Sequence, residues 1–188
     1  MFAALLSLGR RGYEELVERN VRFARDVAAW MNAGESGGIW YEVLNLTRKG
    51  EDGQKTVPLN VVLFRARAGA APAAYLHPSH GSSLLCKAIN TTRRMYTSPT
   101  VYQGIAAVRI AISNWGTGLP LDSGVENDEY QGDGSLDAEE LRGMPNYEQG
   151  DRIWDAQELK GMTDYEIVCE TLKAVMSDPP AFVREFRG

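Results

Sequence analysis

The sequence predicts an α+β domain in which helices cover one face of an antiparallel sheet. Helix-like and strand-like segments alternate in the order helix, strand, strand, helix, strand, strand, helix. No glycine-rich turn follows a strand, as it would in a doubly wound α/β fold. The chain has 188 residues, of which 44% are hydrophobic, so it can bury one core of ordinary size.

Three segments carry apolar residues at the spacing of a helix face. The first helix is predicted over about 12–32, where apolar residues recur at three- and four-residue steps. A short second helix is predicted over 82–90. The third begins with the capping-box sequence at 163–166 and is stopped by the two prolines at 179–180.

Four segments predict strands, because they are rich in β-branched and aromatic residues and are bounded by turn residues. They cover about 40–46, 59–64, 94–102 and 105–112. The second is expected to be central in the sheet, and Pro99 makes the third an edge strand at best. The polar stretch 47–56, with two glycines, is typical of a hairpin-like loop.

Charge is distributed unevenly along the chain. Residues 1–119 carry a net charge of +6, whereas 120–166 carry −11. The acidic stretch is also rich in glycine and poor in β-branched residues, which is typical of a flexible surface segment. We therefore expect 1–119 and 163–188 to form one domain and 120–162 to be an acidic insertion.

A tandem repeat lies inside the acidic stretch. Residues 131–148 align with 149–166, and 11 of the 18 positions are identical. Two copies are too few for a solenoid, which needs about three repeats to bury a continuous core. Local duplication within a tolerant surface loop is the simpler interpretation.

Composition excludes several classes of protein. The net charge of −5 argues against general binding to nucleic acid or to anionic lipid. Cys86 and Cys169 match no metal or redox spacing and cannot build a disulfide framework, which favours buried thiols in a reducing compartment. The apolar opening 2–8 is too short to span a bilayer. We expect a soluble cytoplasmic protein with no membrane or nucleic-acid partner.

Two loop motifs resemble functional signatures only in part. Residues 34–38 match the Gly-x-Ser-x-Gly pattern of serine hydrolases, but they lead from helix to strand, the reverse of a nucleophile elbow. Residues 132–141 resemble the second half of an EF-hand calcium loop, and the first half does not match. A plain flexible loop and a solvated acidic loop are the preferred interpretations.

Two further clusters are weak candidates. His77 and His80 offer two imidazoles, fewer than the three or four ligands of a metal site, which favours a loop without metal. The arginine pair at 93–94, with Tyr96 and Tyr102, lacks the strand motif of an RNA-binding surface. Solvated charges on an edge strand are the preferred interpretation, so no metal site and no nucleic-acid site is expected.

Arg109 is the candidate binding residue. It lies in the middle of an apolar strand, on the face opposite Val108 and Ile110 and flanked by Ala107 and Ala111. A guanidinium there is costly to bury unless it meets a carboxylate or a phosphate, and the alanines leave room for such a ligand. From the residues alone, a ligand contact and a structural ion pair are equally good explanations.

Four segments together resemble one enzyme family. The chain resembles the C-terminal portion of group II pyridoxal-phosphate-dependent amino-acid decarboxylases, which include aromatic amino-acid, tyrosine and glutamate decarboxylases. The resemblance covers about 2–115 and resumes at 164–176. The segments, in family order, are Leu8–Tyr13, Val61–Arg65, Ile89–Thr91 and Val108–Asn114.

This resemblance implies the small C-terminal domain of the fold type I aminotransferase fold, which closes over a large cofactor-binding domain. It also implies an amino-acid substrate, a homodimer partner, and pyridoxal phosphate in the full-length enzyme. The family's cofactor lysine follows a histidine, and no lysine here does so. The five lysines are Lys49, Lys55, Lys87, Lys160 and Lys173. We therefore expect no cofactor to be held by this chain alone.

The resemblance also places Arg109 on the family's arginine, which lies near the substrate carboxylate or at the wall of the active site. The sequence thus predicts the C-terminal part of a carboxy-lyase, with Arg109 binding substrate, no catalytic or metal-binding residue of its own, and no activity in isolation. The alternative is a stand-alone, non-catalytic interaction or regulatory module that uses the acidic segment as its contact.

Overall fold

The computed structural model describes residues 2–34, 37–49, 54–114, 117 and 161–186. Short 3₁₀ turns at Gly37–Ile39 and Ala73–Leu76 connect some of its helices and strands. The elements, in chain order, are α1 (Phe2–Asn32), β1 (Tyr41–Val43), β2 (Thr47–Lys49), β3 (Gln54–Thr56), β4 (Val61–Ala66), α2 (Gly81–Thr91), β5 (Ser98–Tyr102), β6 (Ile105–Ala111), α3 (Asp164–Ser177) and α4 (Ala181–Arg184). The α+β class is confirmed.

A four-stranded antiparallel sheet has the strand order β1-β4-β6-β5. The expectation of a central β4 is confirmed, since β4 pairs with β1 on one side and β6 on the other. Strand β5, which carries Pro99, lies at the edge, as predicted. In the β4–β6 register Phe64 lies opposite Val108, and Leu63 lies opposite Arg109.

The polar stretch predicted as a hairpin-like loop contains a second, two-stranded sheet. Strands β2 and β3 pair antiparallel, with Thr47 opposite Thr56. The Thr47 hydroxyl donates to the Thr56 carbonyl oxygen at 3.2 Å. The hairpin is confirmed, and its arms are regular strands.

Helix α1 begins earlier than the predicted start at Gly12. Two helical pieces meet at Gly9, whose backbone has φ 63° and ψ 180°. Only glycine adopts this conformation readily, so Gly9 interrupts α1 and separates a short first piece from the long second piece, which contains the predicted helix. Beyond the kink, the buried side chains follow the predicted spacing, at Phe23, Ala24, Val27, Ala28 and Met31.

The helices cover one face of the four-stranded sheet. Helix α1 packs on β1 and β4, α2 packs on β4, β5 and β6, and α3 packs on α1 and α2. Beneath them lie the inward residues of the strands, Tyr41, Val43, Val62, Phe64, Val108 and Ile110. The core therefore sits between the sheet and the helices, and the other face of the sheet carries the polar side chains.

Two buried phenols attach α3 to the rest of the core. The Tyr41 hydroxyl donates to the Leu172 carbonyl oxygen at 2.8 Å, and the Tyr75 hydroxyl donates to the Val175 carbonyl oxygen at 3.1 Å. Burial raises the pKa of both phenols above the usual value. Each phenol therefore stays protonated and continues to donate where water cannot reach.

The capping box predicted for the last helix is confirmed. The Thr163 hydroxyl accepts from the Glu166 amide at 3.3 Å, and the Glu166 carboxylate accepts from the Thr163 amide at 2.8 Å. These bonds stabilise the ionised carboxylate and lower the pKa of Glu166. Helix α3 ends at Ser177, two residues before Pro179, and the short helix α4 that follows was not predicted.

Replacing Tyr41 with Phe should destabilise the chain by about 0.5–1.5 kcal/mol, because the buried hydrogen bond to α3 is lost. Urea denaturation at pH 7 measures this change in the free energy of unfolding. Tyr96→Phe, at a side chain that is 78% exposed, is the matched control and should change stability little. Equal changes in the free energy of unfolding for both variants would show that the Tyr41 hydrogen bond does not stabilise the packing of α3.

The same bond has a pH signature. The Tyr41 pKa is higher in the folded chain than in the unfolded chain, so its contribution is complete below about pH 10 and is lost as the pH rises further. As the pH rises above about 10, Tyr41→Phe should therefore lose less stability than the original chain, as measured by urea denaturation at each pH.

Candidate functional site

Arg109 lies on the sheet face that the helices leave open. Along β6, Val108 and Ile110 are buried, whereas Arg109 and Ala111 are exposed. This is the alternation predicted for the strand, although Ala107, on the open face, is fully buried. The guanidinium is therefore presented to solvent and is not buried in the apolar core.

The neighbours of Arg109 come from the strands on either side. Ser98 of β5 and Leu63 of β4 lie directly opposite it. The Arg109 Nε donates to the Ser98 hydroxyl oxygen at 3.0 Å. Within the described ranges, no carboxylate lies within ion-pair distance of this guanidinium. Among the described residues, the hydrogen-bond partner of Arg109 is therefore neutral. A structural ion pair, the alternative to a ligand contact, would require a carboxylate there.

A second arginine on the same face has the opposite arrangement. Arg65 of β4 lies opposite Glu42 of β1, and its guanidinium contacts the Glu42 carboxylate at 2.7 Å. Both side chains are partly exposed, so this pair contributes at most about 1 kcal/mol. The charge of Arg65 is nevertheless balanced locally, which provides an internal comparison for Arg109.

Three of the five lysines lie in the part of the chain whose side chains the structure describes, and each of them is at the surface or beside another side chain. Lys87 Nζ lies 4.5 Å from the centre of the Phe182 ring. Lys173 Nζ contacts Glu170 at 2.6 Å on the surface of α3. Lys55 is exposed on β3. The side chains of Lys49 and Lys160 lie outside the part of the chain that the structure describes.

The two loop motifs fall mainly outside the described residues. Ser36 of the Gly-x-Ser-x-Gly motif is among the undescribed residues, and so is the whole calcium-like stretch 132–141. Gly37 and Gly38 are described, and they lie buried in the 3₁₀ turn that leads to β1. Neither motif gains a structural basis for function.

His77 and His80 form a small aromatic cluster with the C-terminal residues. Their rings stack with centroids 5.0 Å apart, and the Phe186 ring packs edge-on against both. His77 Nδ1 accepts from the backbone amides of Ser79 and His80, at 3.3 and 3.2 Å. No group of three or more metal-ligating side chains occurs within the described ranges.

The remaining candidates lie apart from Arg109 along the chain. Arg93 and Arg94 follow the end of α2, Tyr96 is exposed before β5, and Tyr102 closes β5. Their assignment as solvated residues beside an edge strand stays a prediction. No helix among the described residues is long and apolar enough to span a membrane.

Both cysteines are unpaired and buried, as the sequence predicted. Burial raises the pKa of the Cys86 thiol, and it raises that of Cys169 to about 11. A thiol protonated at neutral pH is a poor nucleophile. Neither cysteine therefore has the properties of a reactive site.

Ser98 is the site residue that the sequence analysis missed. The signal that locates it is the Gln103-Gly104 turn, where both residues have positive φ, at 51° and 81°. Such a two-residue turn favours a tight hairpin and fixes its register. Tyr102 then lies opposite Ile105, and counting back along both strands places Ser98 opposite Arg109.

Comparison with known proteins gives structural neighbours only. No protein-family model and no curated protein matches the chain. Crystal structures of Oryza sativa TDC, with PLP and tryptamine or with PLP, show 22% identity and a TM-score of 0.43 over 60% of this chain. Catharanthus roseus tryptophan decarboxylase in complex with L-tryptophan shows 19% identity and a TM-score of 0.40 over 58%. This chain spans about a fifth of the length of each of these proteins.

Replacing Arg109 with Ala should leave the stability of this chain within about 0.5 kcal/mol, because the side chain is exposed and has no ionic partner among the described residues. Ile110→Ala, at the buried neighbouring position, is the matched control and should cost about 2–5 kcal/mol. Thermal or urea unfolding measures both. A loss above about 1.5 kcal/mol for Arg109→Ala would identify a structural role.

Proposed function

We propose that the chain is the C-terminal part of a pyridoxal-phosphate-dependent amino-acid decarboxylase, a carboxy-lyase, in which Arg109 binds the carboxylate of the amino-acid substrate. The observation that carries this proposal is the set of four segments in family order along the sequence. They are spread over most of the chain before the acidic segment, from Leu8 to Asn114.

Three of these segments lie close together in the fold. Val61–Arg65 forms most of β4, Val108–Asn114 begins in the neighbouring strand β6, and Ile89–Thr91 ends α2, which packs on both strands. The fourth, Leu8–Tyr13, spans the kink at Gly9. Three of the four segments therefore lie in one contiguous part of the domain, formed by the two central strands and the helix that packs on them.

Arg109 has the chemistry that recognition of a carboxylate requires. A guanidinium presents several N–H donors in a planar fork, which matches the two oxygens of a carboxylate. Its position on the open sheet face leaves that fork accessible. The proposed role is to bind and orient the substrate carboxylate.

The rest of the proposed enzyme supplies the cofactor site. No lysine of this chain follows a histidine as the family's cofactor lysine does, and the chain spans about a fifth of the length of each decarboxylase structure. The proposal therefore includes a large cofactor-binding domain and a second subunit of a homodimer as partners. We expect this chain alone to show no decarboxylase activity.

The first experiment is the mass of the natural polypeptide, measured with an antibody raised against the repeat 131–166 on a lysate of the source cells. We expect a band far above 20.8 kDa. That protein should release carbon dioxide from an amino acid in the presence of pyridoxal phosphate. Antibody pre-absorbed with the repeat peptide is the control for the band.

A band at 20.8 kDa would overturn the decarboxylase proposal. It would favour the alternative, a stand-alone interaction or regulatory module that binds through its acidic segment. Deletion of 120–162 should then weaken the binding of the chain to its partner protein. Unchanged binding to that partner would remove this alternative as well.

In the full-length enzyme, Arg109→Ala should lower kcat/KM, because the transition state loses one charged contact to a carboxylate. The expected loss of transition-state stabilisation is about 2–4 kcal/mol. Arg65→Ala is the matched control, since Arg65 lies on the same sheet face but is paired with Glu42. Steady-state kinetics with the best amino-acid substrate measures both. Equal losses would show that Arg109 makes no specific contact with substrate.

A further inference from the structure

We infer that Ser98 is a positioning residue, which orients the Arg109 guanidinium so that its two terminal amino groups face a planar carboxylate. This inference rests on the proposed function, because it assigns a second residue to the same substrate contact. The observation behind it is the hydrogen bond of 3.0 Å from Arg109 Nε to the Ser98 hydroxyl.

The bond uses the inner edge of the guanidinium. Nε is the guanidinium nitrogen nearest the backbone, and its N–H is the donor to Ser98, so the two terminal amino groups are not used in this bond. Within the described ranges, these amino groups make no ion pair and no further hydrogen bond to protein. They are the donors that bind a carboxylate through two parallel hydrogen bonds.

A hydroxyl orients the arginine without neutralising it. Arg65 shows the contrast, because Glu42 accepts from it and balances its charge. Ser98 is neutral, so the full positive charge of Arg109 remains for a ligand. A carboxylate at position 98 would instead compete with substrate.

The surrounding side chains restrict the arginine without covering it. Ser98 lies on one side of it and Leu63 on the other, in the cross-strand register. Two residues away along β6, on the same face, are Ala107 and Ala111, whose side chains are a single methyl group. The guanidinium thus has room above the strand, while Ser98 fixes its direction.

Such positioning reduces the entropy that is lost when substrate binds. A free arginine side chain has many rotamers, and ordering them opposes association. The bond to Ser98 selects a subset before substrate arrives. The hydrogen bond between Ser98 and Arg109 is stronger where the sheet face is shielded from water, because the local dielectric constant is lower there.

The test compares Ser98→Val with Ser98→Thr in the full-length enzyme. Valine and threonine have nearly the same shape and both favour strands, but only threonine keeps the hydroxyl. Ser98→Val should lower kcat/KM about 3- to 10-fold, mainly by raising KM, and Ser98→Thr should retain most activity. Equal kcat/KM in the two variants would overturn the inference.

A second measurement separates this inference from the proposed function. Nitrogen-15 relaxation of the Arg109 Nε–H group in the 188-residue chain reports the mobility of the side chain without any need for activity. The side chain should be ordered in the original chain and in Ser98→Thr, and mobile in Ser98→Val. The same mobility in all three would overturn the positioning role.

Failure of the proposed function and failure of the positioning role give different results in the kinetic and relaxation experiments. If no full-length form decarboxylates an amino acid while Ser98→Val still mobilises Arg109, the proposed function is wrong and the positioning of the guanidinium stands. If the enzyme is active and Ser98→Val matches Ser98→Thr in kinetics, the positioning role is wrong and the proposed function stands.

Discussion

The pairing of β4 with β6 determines both the core and the position of the candidate site. Side chains alternate between the two faces of a strand, so placing Phe64 opposite Val108 buries both beneath the helices. The same register sends Leu63 and Arg109 to the other face. A slip of one residue would bring the guanidinium under α2, where an unpaired charge is very costly. The register is reinforced where the pairing ends, since the Ile112 amide donates to the Asn60 carbonyl oxygen at 2.9 Å.

The remainder of the domain depends on the packing of α3, which is distant in sequence, against α1 and α2. Arg19 of α1 donates to the Thr117 carbonyl oxygen at 2.9 Å, and the capping box begins α3 after Thr163. Two phenols, from Tyr41 and Tyr75, then hold α3 through its backbone carbonyls. Because both flanks of the acidic stretch are attached to the domain, its length and composition can vary at a small cost in loop-closure entropy.

Much of the fold could be predicted from the spacing of apolar residues and from the residues that begin or end helices and strands. The alternation at 105–112 predicted a strand and the pattern at 163–166 predicted a capping box, and both are confirmed, although Ala107 on the open face is buried. The short helical piece before Gly9 was not predicted, because Gly9 has a positive φ that interrupts the helix. The position of Arg109 on the open face follows from alternation, but its partner depends on register. That register comes from the turn at Gln103-Gly104, where Gln103 is not a residue typically expected at positive φ. The buried phenol bonds join distant parts of the chain, and no local pattern predicts them.

The placement of Pro99 has a consequence for the behaviour of the domain among its own copies. Edge strands offer unpaired backbone donors and acceptors to any extended chain that approaches, and intermolecular sheet growth begins this way. Strand β5 is such an edge, and it is only five residues long. Proline has no N–H, so an incoming strand finds a missing donor at the second residue of β5. The residue that weakens β5 as a strand therefore also opposes the addition of a strand at this edge of the sheet.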